Sequence, residues 1–110
     1  MPTAITFQTV SKKTTIQTIT LDQLLDRIGR HADLLQMDVQ GVEAQILSGG
    51  SISLELGKIK EFLISTHSPD IHRQCLNTLV QFGYSIELEK TKPNNRADGI
   101  IIAAKGAQRP

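Results

Sequence analysis

The run Leu34-Leu35-Gln36-Met37-Asp38-Val39-Gln40-Gly41-Val42-Glu43 constrains the chain more than any other stretch. A short apolar segment ends on an acid, passes a glycine and enters a helical pattern that opens with a second acid. In an α/β protein this is a buried strand handing its last side chain to a turn, with a helix folding back over the sheet. Ligands of open α/β sheets bind outside the carboxyl ends of the strands. Asp38 is therefore the first residue to suspect of chemistry.

The flanking residues support a strand–helix–strand unit. Thr20-Leu21-Asp22-Gln23 has the spacing of a capping box. Leu21, Leu24, Leu25 and Ile28 follow the i, i+3, i+4, i+7 rule of an amphipathic helix, and Gly29 is placed to end it. A strand is expected at about 33–38 and a helix from about 42 to 47, stopped by Gly49-Gly50. Residues 51–58 are ambiguous, a further turn of helix being one reading. Phe62-Leu63-Ile64 makes the next buried strand, ending at Ser65-Thr66-His67. A right-handed crossover makes the two strands parallel, so Asp38 and the turn at 65–67 open onto one edge of the sheet.

Ser68-Pro69-Asp70 is a second helix start, with a capping serine, a proline in the first turn and an acid near the positive helix end. Ile71, Cys75, Leu76, Leu79 and Phe82 form its apolar stripe and Gly83 ends it. Tyr84, Ile86 and Leu88 alternate with Ser85, Glu87 and Glu89, which predicts a strand wet on one face. After a polar turn at 90–97, Ile100-Ile101-Ile102 returns as its antiparallel partner, and the tail after Ala104 reads as frayed. The Thr-rich start reads as a loose arm over 1–14, with a strand expected in Thr15-Ile16-Gln17-Thr18-Ile19. The fold class is α/β: parallel strands with crossover helices on the sheet faces and a final antiparallel strand.

Composition removes several function classes. A chain of 110 residues fits one small domain. A net charge of +1 offers no electrostatic footprint for nucleic acid or an acidic membrane, and 4% aromatic residues give no stacking platform. No apolar run approaches the roughly 20 residues of a spanning helix, and residues 1–13 lack the order of a signal peptide. One cysteine suits a reducing compartment, so a cytoplasmic protein is the expectation.

Several stretches together resemble FkbM-type methyltransferases. Thr18-Ile19-Thr20-Leu21-Asp22-Gln23-Leu24-Leu25 resembles the segment before that family's central strand. Met37-Asp38-Val39-Gln40-Gly41-Val42-Glu43 followed by Ile46-Leu47 resembles its hallmark. Ser65-Thr66-His67-Ser68-Pro69-Asp70-Ile71-His72, Gly83-Tyr84 and Asp98-Gly99-Ile100-Ile101 follow in the same order, so the resemblance covers about 15–104, with 105–110 as tail. It implies the later half of a Rossmann-like, S-adenosylmethionine-dependent fold that methylates an oxygen on a small-molecule or sugar acceptor. Such enzymes cradle the cofactor with a Gly-rich turn after their first strand. The glycines here, at 29, 41, 49, 50, 57, 83, 99 and 106, form no Gly-x-Gly-x-x-Gly pattern. The expectation is a C-terminal portion, inactive alone, whose strand at 33–38 is left with an unpaired edge. The Thr-rich arm, a missing N-terminal half or a homo-oligomer would have to cover that edge.

Position and resemblance together put forward Asp38 and His67 as catalytic, Asp38 and Gln40 as cofactor contacts, and Gln40 and Glu43 as acceptor contacts, with no metal set. Each has a plainer reading. Asp38 and Glu43 both suit the positive end of the following helix, Gln40 suits a turn, and His67 suits a wet loop. Asp38 has open to it cofactor contact, orientation of the acceptor hydroxyl, metal ligation or general-base work. His67 is better placed than His31, or than His72, which is expected on the wet side of its helix. Cys75 and Met37 read as core, Lys90, Lys92 and Arg96 as a solvated basic loop, and Gly99 as a point of close backbone approach or of strand geometry. The rival function is a non-catalytic module that binds through its open sheet edge. A metal-assisted hydrolase on Asp38 and His67 is a third. A paired-aspartate phosphatase is disfavoured because Gln40 stands where the second aspartate belongs.

Overall fold

The computed structural model describes residues 3–8, 19–39, 41–91 and 99–106. In chain order they form β1 (Ala4–Gln8), α1 (Leu21–Ile28), β2 (Ala32–Asp38), α2 (Glu43–Ser48), α3 (Ser51–Glu55), β3 (Ile59–Thr66), α4 (Pro69–Gln81), β4 (Tyr84–Thr91) and β5 (Gly99–Lys105). The sheet order is β1-β2-β3-β5-β4. β1, β2 and β3 are parallel, and β5 runs antiparallel between β3 and β4. Parallel strands with crossover helices and a last antiparallel strand are the expected architecture.

Parts of two segments read as loose are tied down. Ala4–Gln8, within the stretch expected as an arm, pairs in parallel with residues 34–38, so β2 is flanked on both sides. Its Ile5 and Phe7 alternate toward the core, enough for a short strand once the β2 edge offers partners. The strand expected at 15–19 falls on residues 15–18, outside the described residues, and on Ile19, which is not in a strand. At the other terminus Lys105 ends β5. Its ammonium bonds the carbonyls of Leu54 and Phe82 and sits 4.9 Å from the Tyr84 ring centroid, closing the ends of α3 and α4 together.

The helices form as their caps require. Thr20 and Gln23 make the reciprocal bonds of a capping box, and Gly29 closes α1 in a left-handed conformation at φ 75°. α3 has no side-chain cap of its own. Asp22 supplies one from α1, accepting from the Ile52 and Ser53 N–H groups at 3.2 and 2.8 Å.

Chain direction decides which face of the sheet the helices cover. From β1 through β2 and β3 to β4 the path advances one way across the sheet, and right-handed crossovers then put every helix on the same side. Cover on both faces needs a strand order that reverses. The side chains agree. Leu21, Leu25, Leu47, Leu54, Cys75 and Leu79 of the helices join one core with Leu35, Met37, Phe62, Ile64, Ile101 and Ala103 of the sheet. On the opposite face Leu34, Leu63, Ile100 and Ile102 are half-buried, and Gln36 and Glu61 are exposed. Among the described residues that face has no helical cover.

A bulge in β4 changes the other predicted alternation. Ile86 pairs with Ala103, but Leu88 pairs with Ile102, so Glu87 is the extra residue. A one-residue slip moves the following side chains to the other face. Leu88, expected inside, is therefore on the open face and 37% exposed. Glu89, expected in water, pairs with Ile101 on the helix side.

Candidate functional site

Asp38 is the last residue of β2, and His67 follows the last residue of the parallel neighbour β3. The two therefore meet at the carboxyl edge. His67 Nε2 lies 3.3 Å from Asp38 Oδ1. Its Nδ1 lies 2.6 Å from Glu43 Oε2, at the start of α2. One imidazole thus bridges two carboxylates of different character: the Glu43 side chain has no exposure, and that of Asp38 is 52% exposed. The backbone turn serves the buried one. Gly41 adopts φ 107°, a conformation that side chains disfavour, and its N–H points at the Glu43 oxygens at 3.2 and 3.4 Å.

A carboxylate only accepts, so Nδ1 donates to Glu43; Nε2 donates to Asp38 when the ring carries both protons, and in the neutral ring Nε2 holds the lone pair and Asp38 has to turn away from it. Nε2 lies against the half-exposed Asp38 at the carboxyl edge of the sheet. A buried carboxylate that orients an imidazole is an arrangement that can do general-base chemistry once the second nitrogen is freed. Glu43 thus does more than favour its helix end.

A second imidazole network lies just behind. The Thr66 hydroxyl, at the end of β3, is 2.6 Å from His72 Nδ1, and His72 Nε2 is 2.7 Å from Glu89 Oε1. His72 is 4% exposed, which corrects its expected place in water. It stands three residues before Cys75 and seven before Leu79 and so shares their buried stripe; its two bonds make the burial tolerable. Gly99 does mark a close approach. A Cβ there would lie 2.6 Å from Thr66 Oγ1, 2.8 Å from His72 Nδ1 and 3.0 Å from the Lys90 carbonyl oxygen. Sequence reading missed this network; the spacing of His72 to Cys75 and Leu79 was the signal that held it.

Of the remaining candidates, Gln40, Lys92, Arg96 and Asp98 lie outside the described residues. Cys75 is buried beneath α4, where desolvation and then the Glu43 charge push its thiol up to about 12, so it stays a core thiol. Met37 is in the core. His31 is exposed and lines a cavity of about 280 Å³ with Leu25, Arg30 and Lys58, at the starting ends of β2 and β3 and away from Asp38. Among the described residues no three His, Cys, Asp or Glu side chains are grouped to hold a metal ion.

Comparison with known proteins gives this edge a context. Residues 2–101 match the model of a family described as the methyltransferase FkbM domain, a span that takes in β1, Asp38, Glu43, both imidazole networks and most of the sheet. No significant match joins the chain to a curated protein or to a solved structure. With the matched span covering most of its length and a sheet compatible with a Rossmann-like methyltransferase fold, the chain belongs to the FkbM methyltransferase domain family.

Proposed function

We propose that the chain is the acceptor-side part of an S-adenosylmethionine-dependent O-methyltransferase, acting on a hydroxyl of a small molecule or sugar. The bridge from Glu43 through His67 to Asp38 at the carboxyl edge carries this reading. The acceptor hydroxyl donates to His67 Nε2, taking the place of Asp38, whose half-exposed side chain is free to swing aside. Methyl transfer would break the carbon–sulfur bond of the bound sulfonium, which leaves as the neutral thioether, and the proton of the acceptor hydroxyl would pass to Nε2. Glu43 at Nδ1 and Asp38 beside Nε2 stabilise the resulting imidazolium. Bound S-adenosylmethionine supplies the electrophilic methyl group. Such a base contributes about 100-fold to 10,000-fold.

The cofactor fits these residues on one side only. Asp38 offers an exposed acceptor for amine or hydroxyl groups, and the space beside Gly41 is open. The sequence contains no Gly-rich turn between a strand and a helix to complete a cradle. The one-way winding and the face that no described helix covers, with Leu34, Leu63, Ile100 and Ile102, support a partial domain whose other half winds back over that face. The same face favours the second reading, a non-catalytic module that binds a partner or a second copy there.

The test uses methyl-labelled S-adenosylmethionine and a panel of hydroxyl-bearing small molecules and sugars. It is run on the 110-residue chain and on any longer polypeptide its coding frame specifies. Label is expected on acceptor oxygen with the longer polypeptide and to fall at least about 100-fold in His67→Ala. Transfer indifferent to His67→Ala sinks the base assignment. Absence of cofactor binding in every form moves the binding module to the front.

A further inference from the structure

The Thr66–His72–Glu89 network touches neither Asp38 nor Glu43, yet three separate features of the chain serve it. The bulge at Glu87 turns Glu89 toward the helices. His72 occupies a buried place that an apolar residue would fill without needing partners. Gly99 leaves open the volume that a Cβ would take from the Thr66–His72 contact. Nε2 of His72 donates to the Glu89 carboxylate, so Nδ1 of the neutral ring accepts from the Thr66 hydroxyl. One chain of bonds thereby joins the end of β3, the first turn of α4 and the edge strand β4.

We infer that this network positions His67. Thr66 is peptide-bonded to His67, and Ser68 on the other side caps α4 by accepting from the Ile71 N–H at 3.0 Å. The His67 backbone is therefore pinned between a residue bonded to α4 and the residue that begins α4. That leaves the imidazole only its side-chain torsions with which to meet Asp38 and Glu43. Polar networks with every member satisfied rigidify their surroundings, and here the rigid point is one residue from the base. Thr66, His72 and Glu89 are positioning residues that never meet the acceptor. The inference rests on His67 serving as the base proposed above, and its test separates the two.

Imidazole proton and nitrogen NMR of the 110-residue chain reads the coupling directly. Thr66→Val removes the hydroxyl at nearly constant volume, Thr66→Ser keeps it, and Glu89→Ala removes the acceptor for His72 at a residue 40% exposed on an edge strand, where folding should survive. The low-field Nδ1 proton of His67, held by Glu43, is expected to shift or vanish in Thr66→Val and Glu89→Ala and to return in Thr66→Ser. Backbone amide dispersion should persist in all three. Should Thr66→Val unfold, Glu89→Ala decides alone. A His67 signal unchanged by Glu89→Ala overturns the inference. In a polypeptide that transfers methyl groups, Glu89→Ala should lower kcat by up to about 100-fold with KM little altered; a rise in KM with kcat intact contradicts it. If the His67 signal responds but no methyl transfer is found, the coupling stands and the functional reading falls.

Discussion

Replacing Gly99 with alanine tests the packing behind the site with one added carbon. The new Cβ would meet Thr66 Oγ1 at 2.6 Å and His72 Nδ1 at 2.8 Å, both inside ordinary contact distance, with the Lys90 carbonyl oxygen at 3.0 Å. None of the three can yield cheaply. Thr66 is fully buried, His72 is bonded at both nitrogens, and the Lys90 carbonyl belongs to the β4 backbone. Overpacking of this kind costs about 1–3 kcal/mol. Breaking the buried Thr66–His72 bond to relieve it adds about 1–3 kcal/mol. A loss of roughly 3 kcal/mol corresponds to about 10–20 °C in Tm for a domain of this size. Urea and thermal unfolding followed by far-UV circular dichroism would read it.

A double-mutant cycle makes the reasoning exposed to refutation. Thr66→Ala removes the atom nearest the new Cβ, so Gly99→Ala should cost at least about 1 kcal/mol less in that background. Additive losses, or a Gly99→Ala chain as stable as the parent, would mean that the glycine is not there to make room for the network.

Other predictions follow from single features. Burial pushes the Asp22 carboxyl up, but the Ser53 hydroxyl, the Ser53 and Ile52 N–H groups and Lys58 outweigh it and hold the carboxyl below its ordinary 3.8. Its contribution is then complete above that value and lost as pH falls through the lower folded-state value. Asp22→Ala should cost about 1 kcal/mol near neutral pH, with the two unfolding curves converging in acid; a constant gap down to full protonation refutes this. Cys75, with its thiol near 12, is about one part in ten thousand thiolate at pH 8. A thiol reagent should therefore leave it untouched until urea unfolds the chain, and rapid labelling in native buffer would show that α4 is not packed as described. Leu63 faces the side that no described helix covers and Ile64 the core. Leu63→Thr should change stability by less than about 1 kcal/mol, whereas Ile64→Ala should cost about 2–5 kcal/mol. Equal losses in denaturant titrations would mean that the open face is covered.

Local signals carried most of the fold. Thr20 and Gln23, Gly29, and Ser68 with Pro69 each bracket a helix through bonds made within a few residues, and α1 and α4 begin where those signals stand. The apolar runs at 34–37 and 62–64 are long enough to read as strands without knowing their neighbours. β1 is harder, since Ile5 and Phe7 are too few to announce a strand and pair only because β2 presents a free edge. Strand order, which puts all the described helices on one face, leaves no local trace in the chain.

The site divides along the same line. Asp38 and His67 could be put forward because each stands at a strand end, and a parallel crossover brings such ends together. Glu43 had a sufficient local explanation at its helix start, which concealed a partner 24 residues away. His72 shows the limit most clearly. Its position on the stripe of Cys75 and Leu79 says buried, its polarity says wet, and position prevails because Thr66 and Glu89 supply both bonds. Glu89 reaches it only through the Glu87 bulge, an irregularity that reverses the inside–outside alternation written in Tyr84, Ile86 and Leu88. Periodicity assumes a regular ladder. Where a strand must deliver a carboxylate to a buried imidazole, the ladder gives way, and the residue that strict alternation assigns to water becomes the one that holds the site's foundation in place.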